Sequence, residues 1–111
     1  MKAKTLCCLV PGLLASGGAW ADDVTVGMKN SLFSPPTVTV RAGDRVVWVN
    51  DDEDGKHQVY FNDASYGNSG NLKPGAKFSV VFDKPGEIDY YCRTHKDYGM
   101  VGKIVVTAPP K

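Results

Sequence analysis

The sequence predicts an all-β protein, an antiparallel Greek-key β-sandwich of about seven to eight strands. Three observations lead there. No useful stretch repeats its apolar residues with the period of an amphipathic helix. Seven short runs alternate apolar and polar residues or concentrate β-branched and aromatic ones, with turn formers between them. Gly 12 and Pro 7 are many for 111 residues, as frequent chain reversals require. Short strands without helices to cover them bury their apolar faces against a second sheet.

The elements follow in order. Residues 1–21 read as a secretory signal peptide: Lys2 and Lys4, a short apolar run, and the small-x-small ending Ala19-Trp20-Ala21. The apolar run is too short to span a bilayer. Val24, Val26 and Met28 alternate with polar neighbours as the first strand. Residues 37–41 (TVTVR) alternate again, and Ala42-Gly43-Asp44 marks a turn. Residues 45–50 (RVVWVN) are a β-rich run, followed by the polar loop 51–56 (DDEDGK). Residues 57–61 (HQVYF) return to strand. Residues 62–75, rich in Asn, Ser and Gly, are the longest irregular stretch. Residues 77–82 (KFSVVF), 87–92 (EIDYYC) and 101–107 (VGKIVVT) complete the set, and Pro109, Pro110 and Lys111 form a tail.

Composition removes several function classes. Lys+Arg 13 against Asp+Glu 12 gives no strong basic field for nucleic acid. The length excludes a (β/α)₈ barrel or a two-domain dinucleotide enzyme. Without the leader's two lysines the formal charge is −1. The scarce residues then stand out: residues 22–111 hold one cysteine, Cys92, two histidines, His57 and His95, and two methionines, Met28 and Met100. A lone cysteine cannot form an intramolecular disulfide, and an exported free thiol calls for burial or a metal.

Cys92, His95 and Met100 form C-x₂-H-x₄-M between the last two strand candidates, and His57 opens the strand after the acidic loop. One loop thus offers a thiolate, an imidazole and a thioether, with a second imidazole available. A trigonal His₂Cys set with a weak axial Met is the donor set of a blue-copper electron-transfer site. A structural zinc site needs four Cys or His ligands, haem attachment needs C-x-x-C-H, and a dinuclear copper site needs two thiolates. A catalytic Cys–His pair lacks an evident third group. The plain alternative is two surface histidines and a core methionine.

At these residues the chain resembles the cupredoxins of the plastocyanin, amicyanin and pseudoazurin group. The resemblance rests on Gly86-Glu87-Ile88-Asp89-Tyr90-Tyr91-Cys92, on His95 with Gly99-Met100-Val101-Gly102, and on the run Val46-Val47-Trp48-Val49-Asn50. It implies residues 22–111 as one cupredoxin domain holding one type 1 copper per chain. His57, Cys92 and His95 are the implied strong ligands and Met100 the weak one. Gln58 stands where the family usually has Asn, and Thr94 where it often has Pro. The His57-to-Cys92 spacing is amicyanin-like, whereas the loop from Cys92 to Met100 is plastocyanin-like.

The implied function is a small soluble one-electron carrier, not an enzyme, because no histidines remain for a second copper centre. A periplasmic copper-binding or delivery protein is the alternative. The expected setting is the periplasm, as a monomer without stable membrane insertion. The expected partners are redox proteins such as a c-type cytochrome or a membrane or periplasmic oxidoreductase. The acidic run Asp51, Asp52, Glu53 and Asp54 steers a basic partner or is a solvated loop. Val101 and Met100 are expected at the exposed edge of His95. The backbone N–H groups of Gln58, implied by the resemblance, and of Thr94 are expected donors to the Cys92 sulfur.

Overall fold

The computed structural model describes residues 23–95, 97 and 99–108. The expected signal peptide at residues 1–21 and the tail at 109–111 lie outside the described residues. The described residues form eight strands: β1 (Asp23–Lys29), β2 (Leu32–Ser34), β3 (Thr37–Arg41), β4 (Arg45–Asn50), β5 (Tyr60–Phe61), β6 (Lys77–Val81), β7 (Gly86–Tyr91) and β8 (Val101–Thr107). A short 3₁₀ turn, Ala64–Tyr66, lies between β5 and β6. The strands form two four-stranded sheets, ordered β2-β1-β4-β6 and β3-β8-β7-β5.

The all-β sandwich is as the sequence predicts, with two differences of detail. Each sheet is mixed. β1 runs parallel to β4, with Val26 opposite Trp48, and β3 runs parallel to β8, with Val38 opposite Ile104. The cause is the path of the chain, which leaves β2 for the other sheet in β3 and returns in β4. The return corner is stitched by hydrogen bonds. Asp44 Oδ2 accepts the Arg41 N–H at 2.9 Å, and the Gly43 N–H donates to Phe82 O at 2.7 Å. Gly43 has φ 102°, which favours glycine.

The second difference is at residues 57–61, where the strand shrinks to Tyr60–Phe61. His57 makes an isolated antiparallel bridge to Leu72 instead. Val59 spends its N–H on Ser69 Oγ at 2.8 Å and its carbonyl on Ser69 N–H at 3.0 Å. A side chain of the irregular stretch thus replaces a ladder partner. The strand β2 has only three residues, too few for its alternation to be recognised.

Period-two alternation supplies the core. Val38 and Val40 in β3, Val46 and Trp48 in β4, and Ile88 and Tyr90 in β7 are all buried. Trp48 packs against Tyr90 (5.3 Å between ring centroids) and Phe61 (5.7 Å), both edge-on. Burying one large apolar side chain contributes roughly 1.5–3 kcal/mol, so this aromatic cluster is a main source of stability.

Gly102 in β8 lies opposite Tyr90 in β7. A Cβ there would fall on Cζ and Oη of the Tyr90 ring and 2.8 Å from Cε1. The ring is 1% exposed and packs edge-on against Phe33 (4.6 Å between ring centroids) and Trp48, so it cannot shift without disturbing the aromatic cluster. Gly102→Ala is therefore expected to cost about 1–3 kcal/mol through overpacking. Urea unfolding of the copper-free protein should show a lower midpoint at unchanged slope.

Candidate metal centre

Cys92 follows β7 directly. Ile88 and Tyr90 point inward, and the same alternation sends Cys92 inward, where it has no exposure. The loop beyond it is closed at its base. The Cys92 N–H donates to Met100 O at 3.0 Å, and the Met100 N–H donates to His95 O at 3.2 Å. Gly99, with φ 83°, allows the turn back into β8. His57 comes from the other side, between β4 and β5. Its N–H donates to Leu72 O at 3.1 Å and its carbonyl accepts the Leu72 N–H at 2.8 Å. Two chain segments thus hold its backbone in register.

These two segments bring three of the four expected side chains together. One ligand atom from each of His57, Cys92 and His95 lies within 4.8 Å of the others. Cys92 Sγ is 3.8 Å from His57 Nδ1 and 3.6 Å from His95 Nδ1. The imidazole centroids are 5.1 Å apart. Thiolate and imidazole bonds to zinc are about 2.3 and 2.1 Å. Bonds of that length require sulfur–nitrogen separations of roughly 3.6 Å at a tetrahedral angle and roughly 3.8 Å at a trigonal one. The donor set therefore fits a single first-row ion. His57 is 2% exposed and His95 is half-buried. Met100 is fully buried, tied to the loop by backbone bonds on both its N–H and its carbonyl. Its expected place at the exposed edge is thus corrected, because its side chain belongs to the core. Val101 alone of that pair is exposed, at 50%.

The surroundings alter a further expectation. The Thr94 N–H does not point at the sulfur. It donates to Gln58 Oε1 at 3.0 Å, and Thr94 Oγ1 donates to the same oxygen at 2.9 Å. Gln58 Nε2 in turn donates to Asn71 Oδ1 at 2.7 Å. A backbone N–H can only donate, which fixes the carboxamide with its oxygen toward the loop. Gln58 has one methylene more than the usual Asn and so reaches across to both partners. Cys92, as a thiol, donates weakly to Gln58 Oε1 at 3.4 Å. Binding a metal as thiolate gives up that contact and releases the proton.

One residue that motif reasoning missed lies in the acidic loop. The Asp52 carboxylate is hydrogen-bonded to His57 Nε2, as acceptor. That hydrogen bond holds the Asp52 carboxyl below its ordinary range, more than burial raises it. Asp51, Glu53 and Asp54 are exposed. A run of four acids reads as solvated surface, and nothing in its spacing marks one member as turned inward. A cleft of about 280 Å³ opens over both imidazoles, with Asn30, Ser31 and Asp54 among its lining residues.

Comparison with known proteins finds the same family throughout. The model of the family described as Cupredoxin-like domain matches residues 9–106. A chloroplastic plastocyanin from Tetradesmus obliquus is 34% identical over 108 residues, covering 87% of this chain and 74% of that protein. An amicyanin from Paracoccus versutus is 31% identical, covering 84% of this chain and 71% of that one. Among solved structures, a purple cupredoxin from Nitrosopumilus maritimus superposes with a TM-score of 0.67 at 28% identity, covering 77% of this chain and 100% of that one.

Gln58→Leu removes the oxygen that accepts both Thr94 bonds while nearly keeping side-chain volume. Thr94 is exposed, so water can take up its freed donors, and the loss expected is the net contribution of ordinary hydrogen bonds, about 0.5–1.5 kcal/mol each. The copper-free variant is expected to unfold at lower denaturant by that amount. Hydrogen exchange at the Thr94 amide should accelerate beyond what the global loss explains.

Proposed function

The chain belongs to the cupredoxin-like family, and from that membership we propose that His57, Cys92 and His95 hold one copper ion, with Met100 as a weak fourth donor. The protein is a small blue-copper electron carrier. The observation that carries the assignment of ligands is the convergence of His57 Nδ1, Cys92 Sγ and His95 Nδ1 at spacings suited to one ion. Bound there, copper supplies a one-electron Cu(II)/Cu(I) couple that thiolate, imidazole and thioether donors support in both states.

The chain's own residues do the rest. Cys92 gives up its proton to bind as thiolate, and the imidazoles bind neutral through Nδ1. Backbone bonds at His57, Cys92 and Met100 hold the donors in one arrangement, so gain or loss of an electron asks for little movement. Burial of Cys92 keeps water from the sulfur. His95 and the half-exposed Val101 give the electron a short way to the surface, where a redox partner takes it or delivers it. No described helix is long and apolar enough to cross a membrane. With residues 1–21 read as an export leader, the mature chain works in the periplasm. There it passes electrons between partners such as a c-type cytochrome and a membrane or periplasmic oxidoreductase.

Adding Cu(II) to the purified copper-free protein is expected to produce an intense visible sulfur-to-copper absorption. Cys92→Ser should abolish that band and leave the far-UV circular dichroism of the sandwich intact. A Cys92→Ser protein with the full band would refute the ligand assignment. Met100→Leu should retain the band and raise the midpoint potential, because loss of a weak donor disfavours Cu(II) more than Cu(I). The shift expected is on the order of one decade in relative affinity, about 59 mV. Voltammetry reads it directly, and an unmoved potential would leave Met100 a core residue only.

A further inference from the structure

The acidic loop is folded onto the candidate centre by a closed circuit of hydrogen bonds. It starts at Asn50, the last residue of β4, which is 1% exposed. Asn50 Nδ2 donates to Gly55 O at 3.0 Å and to Leu72 O at 2.8 Å. Asn50 Oδ1 accepts the Asp52 N–H at 3.0 Å. Asp52 Oδ1 accepts the Asn30 N–H at 3.1 Å, which leaves Oδ2 directed at His57 Nε2. Leu72 closes the circuit through its paired backbone bonds with His57. The Asp52 side chain is 17% exposed, and that of His57 is 3% exposed. Lys29 lies within electrostatic range of Asp52. The carboxylate is nevertheless aimed at the ring, so a plain surface charge pair does not account for its placement.

We propose that Asp52 is a positioning residue for His57, fixing its ring as the Nε2–H tautomer with Nδ1 toward Cys92, and that its negative charge biases the centre toward the oxidised state. The inference rests on the copper assignment above. Two physical arguments carry it. A neutral imidazole has one proton and two nitrogens, and the acceptor it meets decides which nitrogen keeps the proton. Outer partners of this kind orient the ring and raise its basicity as a ligand. The oxidised centre bears one more positive charge than the reduced one. A fixed carboxylate on the far side of a ligating ring therefore stabilises it more and lowers the potential. Asn30 and Asn50 prevent the carboxylate from turning away to water, so one member of the acidic run serves the centre while its neighbours face solvent.

Three variants test this: Asp52→Asn, Asp52→Ala and, as a charge control in the same loop, Glu53→Gln. The first readout uses the copper-free protein at mildly alkaline pH, where an ordinary imidazole is neutral. Ring ¹⁵N shifts of His57 should show a single Nε2–H tautomer in the parent chain and in Asp52→Asn, which keeps an acceptor. Asp52→Ala should show a mixture, and dispersion in the same spectra reports that each variant is folded. The second readout is the midpoint potential after copper loading. Asp52→Asn should raise it by roughly one decade in the ratio of Cu(II) to Cu(I) affinity, about 59 mV, while Glu53→Gln leaves it in place. Asp52→Ala should also lose 10–100-fold in Cu(II) affinity, the range typical of lost outer partners. A single tautomer retained in Asp52→Ala overturns the proposal, and so do equal potentials in Asp52→Asn and the parent or equal shifts in Asp52→Asn and Glu53→Gln. Failure of the copper assignment shows itself separately, as a parent protein that gains no visible band with copper.

Discussion

The hydrogen bond from Cys92 N–H to Met100 O is the constraint on which the rest of the proposed centre depends. It is the first bond beyond the β7–β8 ladder, so the register of the two strands runs directly into the loop. Because the bond closes the loop, His95 is held over the sulfur and Met100 is drawn down into the core. If the ladder slipped by one residue, Cys92 would move to the solvent face and the donor set would disperse. The pairing of Tyr90 with Gly102 guards against such a slip, because only glycine leaves room for the phenol ring. The precision of the half of the site that holds Cys92, His95 and Met100 is therefore inherited from strand pairing.

The second half of the proposed centre depends on different physics. His57 lies outside any ladder, and its position is set by a two-residue bridge to Leu72 and by the circuit through Asn50. Side-chain amides and carboxylates perform there the work that backbone pairing performs at Cys92. Such a network is costly when incomplete, because each buried polar group left unpaired loses the water it would otherwise have. Completed, it holds one orientation. The two halves meet at Gln58, whose carboxamide oxygen joins the segment of His57 to the loop of His95 through Thr94.

Much of this was legible in the sequence. Strands such as residues 37–41 and 101–107 reveal themselves because a half-buried strand must alternate. The donor set reveals itself because the chain beyond its first 21 residues has only one cysteine and two histidines. What stayed hidden was non-local. The parallel pairing of β1 with β4 comes from the route between sheets, which leaves no trace in local periodicity. Thr94 and Gln58 are 36 positions apart, and no spacing rule connects them. Asp52 could not be told from Asp51 or Asp54, since what distinguishes it is the direction of a side chain set by Asn50 and Asn30.

Cys92 and Met100 are members of the same buried cluster as Trp48, Ile104 and Phe33. The wall of the site and the filling of the sandwich are thus one body of close-packed atoms. A conservative change in that filling, tolerated for folding, still displaces neighbours by fractions of an ångström, and sulfur positions are among what it displaces. Sequence drift in the interior of this chain is consequently constrained twice, once by the need to remain folded and again by the need to keep a redox level that its partners recognise. Lineages that exchange one large apolar residue for another are then expected to compensate near Cys92 and Met100, where a change too small to be felt as instability is felt as a change of tuning.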